Sequence, residues 1–545
     1  MEADKIKTAL IDGYLDEPSC LGVPPYISPH IRYTYGALLE GGIREENLQY
    51  FIIDKLREDW NNALEKLEEF DLVIIIAGTT VPGNYLGGEP VSLKELKEIG
   101  EKVYYPTKVL GGPITLVMDE LEGIDHVCDE IASFDLYKLL SKKEIEAKPE
   151  NLKKLIGRWA VRGASLTKKH PNHPRIMAEL ETFRGCPRSN HCSFCSERLK
   201  KYTYSRPVED ILKEVEALAQ SGVHNYRLGC QTDLLKYGAR EKNGNLIPEP
   251  QVFSQLYQGI RECNPELKVL HLDNMNPATL AHHPQKAKKI LEIISTYNTP
   301  GDTAAFGLES ADPEVLTANN IESDPELTLK AIKLMNEIGE KREEGLPTLL
   351  PGLNFLHGLK GERPETMEYN LDYLRKIKEK GLLLRRINIR QVQSFGEYEG
   401  DYLNKGRFQE YKRQVNEEIN QPMLKQVFPT GTILKGVIAE QHKGKVTYGR
   451  QLGTYPILVG IPGNLELNKE YTVRIIDHGY RSITALPWPL KINEHRPEQF
   501  SYIPGISKKR ADDIFINQPQ NPEELKKYLP PDFKWEKWKD WFNFN

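Results

Sequence analysis

Arg184-Gly185-Cys186-Pro187-Arg188-Ser189-Asn190-His191-Cys192-Ser193-Phe194-Cys195 is the stretch on which the reading of this chain turns. It follows directly on an apolar run, Met177 to Thr182, so it leaves the end of a predicted strand as a loop. Three of the seven cysteines fall here; Cys20, Cys128, Cys230 and Cys263 are scattered. An odd number with three crowded together points to metal ligation and away from disulfides. Thiolates are the ligands of iron–sulfur clusters. Three on one loop can hold three corners of a four-iron cubane and leave the fourth iron open. The competing reading is a tetrahedral zinc on Cys186, Cys192, Cys195 and His191. No second knuckle of paired ligands is evident, however, and His191 abuts Cys192 in an awkward chelate.

A Cys-x2-Cys pair with an aromatic before the last cysteine resembles the radical S-adenosylmethionine (SAM) superfamily, in which that aromatic, here Phe194, packs by the adenine. The chain departs from the common pattern in its first gap, which is five residues rather than three. The resemblance implies a [4Fe–4S] cluster on Cys186, Cys192 and Cys195 as the catalytic metal site. SAM would chelate the open iron, and a ferredoxin- or flavodoxin-type donor would supply the electron. Cleavage of the carbon–sulfur bond would then yield a 5′-deoxyadenosyl radical.

Working outward, short apolar strands alternate with longer helices from Ile176 to about Gln393. The strands are Met177–Thr182, Asn225–Leu228, Val269–Leu272, Thr303–Gly307, Leu353–Leu356 and Ile387–Val392. Six such units predict a partial (β/α)6 barrel with ligands at the carboxyl ends of its strands. The segment Arg227-Leu-Gly229-Cys-Gln231-Thr-Asp resembles the glycine-rich SAM segment, in the Leu-Gly-Gln form of RNA methylthiotransferases. Leu272-Asp273-Asn274 ends the third strand. Phe306-Gly307-Leu-Glu309-Ser310 is similar to the Gly-Leu-Glu-Ser segment of the superfamily. Pro351 to Glu362, with Asn354, resembles the later strand that approaches adenine, and Gln391 ends the sixth. The resemblance makes Phe194, Gly229, Gln231, Asp273, Glu309, Ser310, Asn354 and Gln391 the candidates around SAM. It covers about residues 176–395.

Upstream, Ile6–Asp12, Asp71–Ala77 and Lys108–Leu110 read as buried strands ending at Gly13, Gly78 and Gly111-Gly112. With helical patterns between them, as at Ser92–Val103, they predict a Rossmann-like parallel sheet. The strand-end glycines serve either a ligand or a tight turn. Ala164–Arg175 has little apolar content and reads as a linker. A second three-cysteine cluster, as in methylthiotransferases, cannot be built from Cys20 and Cys128. The Asp-x-His-x-x-Gly run usual for base-off cobalamin is absent, which leaves a histidine-independent cobalamin site open.

Downstream, a charged helical segment (Tyr402–Asn420) leads to short strands at Thr432–Ile438, Lys445–Tyr448, Tyr455–Val459, Glu470–Asp477 and Ser482–Leu486. Glycines break them, which predicts a small β-barrel of OB type. Gly431-Thr-Ile-Leu-Lys-Gly and Lys445-Val-Thr-Tyr-Gly-Arg450 resemble a TRAM domain. Tyr502-Ile-Pro-Gly505-Ile-Ser-Lys508-Lys509-Arg510 resembles a helix–hairpin–helix, whose turn offers backbone N–H groups to phosphate. Trp535, Trp538 and Trp541 fall on one helical face as a packing stripe. The expected units are 1–165, 176–400, 426–492 and 496–545.

With 545 residues and a net charge of −5, the chain is no global nucleic-acid binder, so an RNA role must rest on local patches. No apolar run approaches the ~18 residues that span a bilayer. The N-terminus lacks a signal-peptide pattern, so a cytoplasmic protein without a membrane partner is expected. The two C-terminal resemblances imply tRNA as partner, with Lys445, Arg450, Gly505, Lys508, Lys509 and Arg510 as contacts. The leading expectation is radical modification of a tRNA nucleotide, with carbon methylation as the chemistry. Action on a protein or small molecule, and a non-catalytic metal-containing RNA-binding protein, are the alternatives.

Overall fold

The computed structural model describes residues 2–16, 21–78, 87–394, 398–401 and 403–544; Cys20 and Tyr402 lie outside them. The N-terminal sheet has five parallel strands: β1 (Thr8–Asp12), β2 (Leu48–Ile52), β3 (Leu72–Ile76), β4 (Thr107–Gly111) and β5 (His126–Val127). Their order is β2-β1-β3-β4-β5, a doubly wound topology whose ligand position is the switch point between β1 and β3. The sequence predicts β1, β3 and β4 from their apolar centres. It misses β2, an edge strand buried only at Leu48 and Ile52, and the two-residue β5. Gly13 is needed for packing, since a Cβ there would lie 2.6 Å from Val91 Cγ1.

The expected linker is a packed segment. Ala164–Lys169 forms a 3-10 helix with Ala164, Leu166 and Thr167 buried, and His170 is buried behind it. Its few apolar residues all point inward. Ala164 and Leu166 belong to one core that runs from Leu10 and Ile74 to Ile176, Tyr226 and Leu270. The N-terminal sheet and the next unit are thus joined by shared apolar burial, the main driving force of folding.

The next unit is the partial barrel: β6 (Met177–Glu181), β7 (Asn225–Gly229), β8 (Val269–Leu272), β9 (Asp302–Glu309), β10 (Leu349–His357) and β11 (Arg386–Gln391). All neighbouring pairs are parallel. The ladder passes from β8 to β9 through Asp273, which donates to Leu228 and accepts from Ala305, and through Asn274–Met275. Tyr26–Ile27, from the N-terminal region, extends the sheet parallel to β6. Helix α1 (Pro29–Glu40) is pinned to helix α2 (Val208–Gln220) by a buried ion pair of Arg32 with Glu214. Arg206 reaches the same carboxylate at 2.6 Å. Burial alone would raise the Glu214 pKa, and the two guanidiniums hold it low.

Helix α3 (Lys405–Val415) continues through a π turn, Asn416–Asn420, into α4 (Gln421–Val427). A closed barrel follows, of β12 (Ile433–Lys443), β13 (Val446–Arg450), β14 (Leu458–Pro462), β15 (Glu470–His478) and β16 (Ser482–Pro487), in the order β12-β13-β14-β16-β15. Leu434, Val437, Val459, Ile461, Val473 and Ile475 fill it. The strand expected at Tyr455–Val459 begins only at Leu458, because the residues before it dock on the partial barrel. In the C-terminal region α5 (Lys508–Asn517) packs with Phe500, Ile503, Trp538 and Trp541 in a separate small core. Among the described residues no helix is long and apolar enough to cross a membrane.

Candidate active site

A cavity of about 1500 Å3 opens at the carboxyl ends of the partial-barrel strands. Three units wall it. The cysteine loop and β9–β11 form one side. Strand-end residues of the N-terminal sheet, among them Gly78, Val91, Ile114 and Met118, form another. Arg450, Tyr455 and Arg481 of the C-terminal barrel form the third.

The cysteine loop is held at both ends. Arg184 is buried and pairs with Glu181 at 2.9 Å and Glu130 at 3.2 Å. Gly185 turns the chain with φ +77, where a Cβ would lie 2.7 Å from Thr203 Oγ1. Further on, Ser193 donates through its backbone N–H to Asn319 O at 3.1 Å and through Oγ to Asn319 Oδ1 at 2.8 Å. Cys186, Cys192 and Cys195 are free, half-buried and line the cavity together. Arg188 Nη1 donates to Cys192 Sγ at 3.1 Å, a contact suited to a thiolate. Burial raises all three thiol pKa values, so cationic iron is what would deprotonate them.

The donor spacing disfavours zinc. A tetrahedral zinc would draw its sulfurs to about 3.8 Å from one another, given Zn–S bonds of about 2.3 Å. Among the described residues the one group of such donors lying within 4.8 Å of each other is His126, Cys128 and Asp135. The three loop thiols do not form such a group.

Glu309 stands opposite this loop. A register shift in the β9–β10 ladder between Gly307 and Glu309 leaves Glu309 at φ +64. Such a bulge re-aims a side chain, and a left-handed glutamate is held only by its surroundings. Burial pushes its carboxyl up to about 8, with Arg390 pulling the other way. Phe194, Asn354 and Gln391 also line the cavity. Phe194 is braced edge-on by Tyr398, with centroids 6.5 Å apart.

Four expected SAM residues have other partners. The Gln231 side chain accepts from Thr182 Oγ1 at 3.1 Å and donates to Leu228 O at 3.1 Å. Gly229 packs against the Glu179 carboxylate, which fills the place of a Cβ. Ser310 Oγ accepts from the Asp312 N–H at 3.1 Å. Asp273 pairs with Arg227 at 2.5 Å and accepts from the Tyr455 hydroxyl at 3.0 Å. These four form the wall behind the cavity. Of the expected RNA contacts, Arg450 lines the cavity and pairs with Glu440 at 2.8 Å. Lys445, Lys508 and Lys509 are exposed elsewhere, Gly505 turns at φ +97, and Arg510 donates to Tyr528 O at 2.9 Å.

Sequence reasoning missed the third wall. Thr454 donates through N–H to His271 Nδ1 at 3.0 Å and through Oγ1 to Leu272 O at 2.7 Å. Arg385 donates to Tyr455 O at 2.7 Å, and Arg386 lies 4.3 Å above the Tyr455 ring. Tyr26 donates to Gly453 O. It also missed Arg386 and Arg390, whose alternation with Asn388 was a legible signal, since i, i+2 and i+4 share one strand face.

A three-thiol loop at the mouth of a six-stranded partial barrel, facing a cavity larger than one small ligand needs, defines an iron–sulfur enzyme of the SAM-cleaving class. The chain belongs to the radical SAM superfamily, whose pattern matches residues 180–374. It is 42% identical over 524 residues to an uncharacterized protein of Archaeoglobus fulgidus, covering 94% of this chain and 96% of that one. A ribosomal protein uS12 methylthiotransferase RimO, from Actinobacillus succinogenes, is 26% identical over 352 residues, covering 60% of this chain and 68% of its own. Among solved structures, a radical SAM methyltransferase, TsrM from Kitasatospora setae, with cobalamin and a [4Fe–4S] cluster bound, is similar with a TM-score of 0.49 and 15% identity. That match covers 71% of this chain and 75% of the other. The radical SAM match brings with it a [4Fe–4S] cluster and SAM as cofactors, and Cys186, Cys192 and Cys195 are the residues that would hold the cluster. When bound, the pair supplies a carbon-centred radical.

Proposed function

We propose that this enzyme modifies a tRNA nucleotide, with methylation at carbon as the chemistry. The charge of the cavity carries the reading. Among the described residues ten cationic and five acidic side chains line it, in a chain whose net charge is −5. A basic cavity in an acidic protein favours a polyanion over a neutral metabolite or peptide. Tyr480, 53% exposed, stands beside Arg481 at the rim and offers a face on which a base can stack. The volume of about 1500 Å3 exceeds the roughly 300–1,000 Å3 of a small-molecule pocket, which leaves room for a nucleotide beside SAM. The TRAM-like and hairpin resemblances point the same way, with Lys508 and Lys509 exposed to meet backbone phosphates and Lys445 exposed beside Glu498 at 3.6 Å. A threonylcarbamoyl-adenosine side chain is the candidate target, because its unactivated methyl group needs a radical.

The chain's own residues divide the work. The Arg184 pairs and the Asn319 contacts hold the cysteine loop. Glu309 carries a proton at neutral pH. The docked segment Gly453–Tyr455 helps to close the site against water. The N-terminal sheet turns its carboxyl edge, where this topology takes ligands, to the same cavity, and Val91, Ile114, Val117 and Met118 make it apolar. That edge supports a second bound cofactor as methyl carrier, for which a corrinoid is the candidate.

The test is anaerobic reconstitution with iron and sulfide, then reaction with SAM, reductant and tRNA. The expected result is tRNA-dependent 5′-deoxyadenosine and a nucleoside heavier by one methyl group. Deoxyadenosine indifferent to tRNA, with every nucleoside mass unchanged, would refute the reading.

A further inference from the structure

Three of the ten cations that line the cavity have a carboxylate partner. Arg227 pairs with Glu179 and Asp273, Arg188 with Glu322 at 3.4 Å, and Arg450 with Glu440 at 2.8 Å. Arg386, Arg390, Lys412 and Arg481 are among the seven that make no ion pair among the described residues. They converge from three parts of the fold. Arg386 and Arg390 share one face of β11, Lys412 lies on α3, and Arg481 stands in the turn between β15 and β16.

Their charges act on one another. The Arg386 pKa is lowered by burial and then by Arg390 and Arg481. Lys412 is lowered by burial and then by Arg481. The ring faces beneath Arg386 (Tyr455, 4.3 Å) and Lys412 (Phe408, 5.1 Å) orient these two cations without neutralising them. Glu309, the acid that acts on Arg390, is itself kept protonated by burial, so these like charges are unfavourable together until an anion arrives. Guanidinium forks match phosphate oxygens in particular.

We infer that Arg386, Arg390, Lys412 and Arg481 form a phosphate-binding site at the seam between the partial barrel and the C-terminal barrel. The site itself stands on these cations. Its use for a backbone phosphate of the substrate RNA, which would seat the neighbouring nucleotide in the cavity, rests on the function proposed above.

The experiment uses the full-length, cluster-loaded protein with inorganic pyrophosphate as probe, read by calorimetry. Lys412→Gln/Arg481→Gln changes the two exposed members, with iron content and thermal midpoint as folding controls. The double variant is expected to bind pyrophosphate at least about tenfold more weakly, the loss of roughly one charge-assisted hydrogen bond. Saturating SAM is expected to leave the wild-type affinity unchanged. Equal affinity in wild type and variant, no binding to the wild type at millimolar pyrophosphate, or competition by SAM would each overturn the site. In parallel, the salt dependence of tRNA binding should flatten in the double variant by the release of about two fewer counterions. Should pyrophosphate behave as expected while the wild type binds no tRNA, the phosphate site stands and the RNA reading falls.

Discussion

Replacing Tyr455 by phenylalanine removes one hydroxyl from the joint between the C-terminal barrel and the partial barrel. That hydroxyl donates to Asp273 Oδ1 at 3.0 Å. Asp273 is 1% exposed and holds Arg227, which also pairs with Glu179 across β6, β7 and β8. Burial and the adjacent Asp273 raise the phenol pKa, so it remains a donor at any working pH. The ring would keep its place under Arg386, and only the donor would be lost. A hydrogen bond to a buried charged group contributes about 1.5–3 kcal/mol. Docking should therefore weaken by that amount, and the joint should open roughly 10- to 150-fold more often. Hydrogen exchange read by mass spectrometry can test this. Peptides spanning Gln451–Leu458 and β8 should exchange faster by that factor, while β1 and β3 of the N-terminal sheet should not change. Tyr455→Ala also removes the ring and adds about 3–5 kcal/mol for a lost aromatic, so the barrel should come away well below the global unfolding midpoint. An unchanged exchange rate at β8 and the docked segment in Tyr455→Phe would refute the idea that this contact closes the site.

Three further outcomes are expected. Changing any one of Cys186, Cys192 and Cys195 to serine should drop reconstituted iron from about four per chain to below about one, whereas Cys128→Ser should leave it unchanged; equal iron in all four variants would contradict the assignment. His271, buried and accepting from Thr454, has its pKa lowered from 6.5 to about 4 by burial and by Arg227. Its contribution is therefore complete above pH 6.5 and lost as pH falls toward 4, up to about 3 kcal/mol; the pH–midpoint curve of His271→Asn should be flatter in that window, and parallel curves would reject this. Gly185→Ala places a methyl where φ is +77 and Thr203 is 2.7 Å away. It should cost about 1–3 kcal/mol and reduce cluster loading, read by thermal unfolding and iron assay, and a fully loaded variant of wild-type stability would show that the loop turns without it.

The parts legible in the sequence were those whose burial is local. Strands β6 to β10 of the partial barrel are largely covered on both faces and so read as apolar runs with loops at their carboxyl ends, whereas β11 is only partly covered. The C-terminal barrel showed itself through alternation and glycines. The edge strand β2 did not, because Gln49, Tyr50 and Phe51 are only partly covered. Ser310 and Gln231 show a different limit of the sequence. Both sit in segments that match the superfamily, yet a motif names a position and not the direction of a side chain, and here the hydroxyl and the amide serve neighbouring backbone. Tyr455 was hidden by its β-favourable surroundings, since only the distant Asp273, Arg385 and Arg386 make it a docking residue instead of a strand residue. The four unpaired cations lie on three elements, and no spacing along the chain could reveal that they meet.

That last arrangement bears on what the C-terminal barrel is. A module that only captured RNA would be joined by a linker and could be removed without altering the site. Here Gly453–Tyr455 meets Tyr26 beside β6, His271 to Asp273 at β8, and Arg385 and Arg386 at β11. Tyr26 lies on the short strand that extends the sheet beyond β6, and Arg386 on β11, the last strand, so these contacts reach both ends of the open sheet. The barrel thus seals the gap that the fold cannot close by itself, and Arg450, Tyr480 and Arg481 reach the cavity from the same body. On the function proposed above, substrate capture and closure are therefore one contact. Truncation before Ile433 should abolish SAM cleavage as well as RNA binding, because Asp273, Arg227 and Arg386 would be left facing water at the centre of the barrel. Retention of full RNA-independent SAM cleavage by the truncated chain would return the barrel to the role of a tethered binding module.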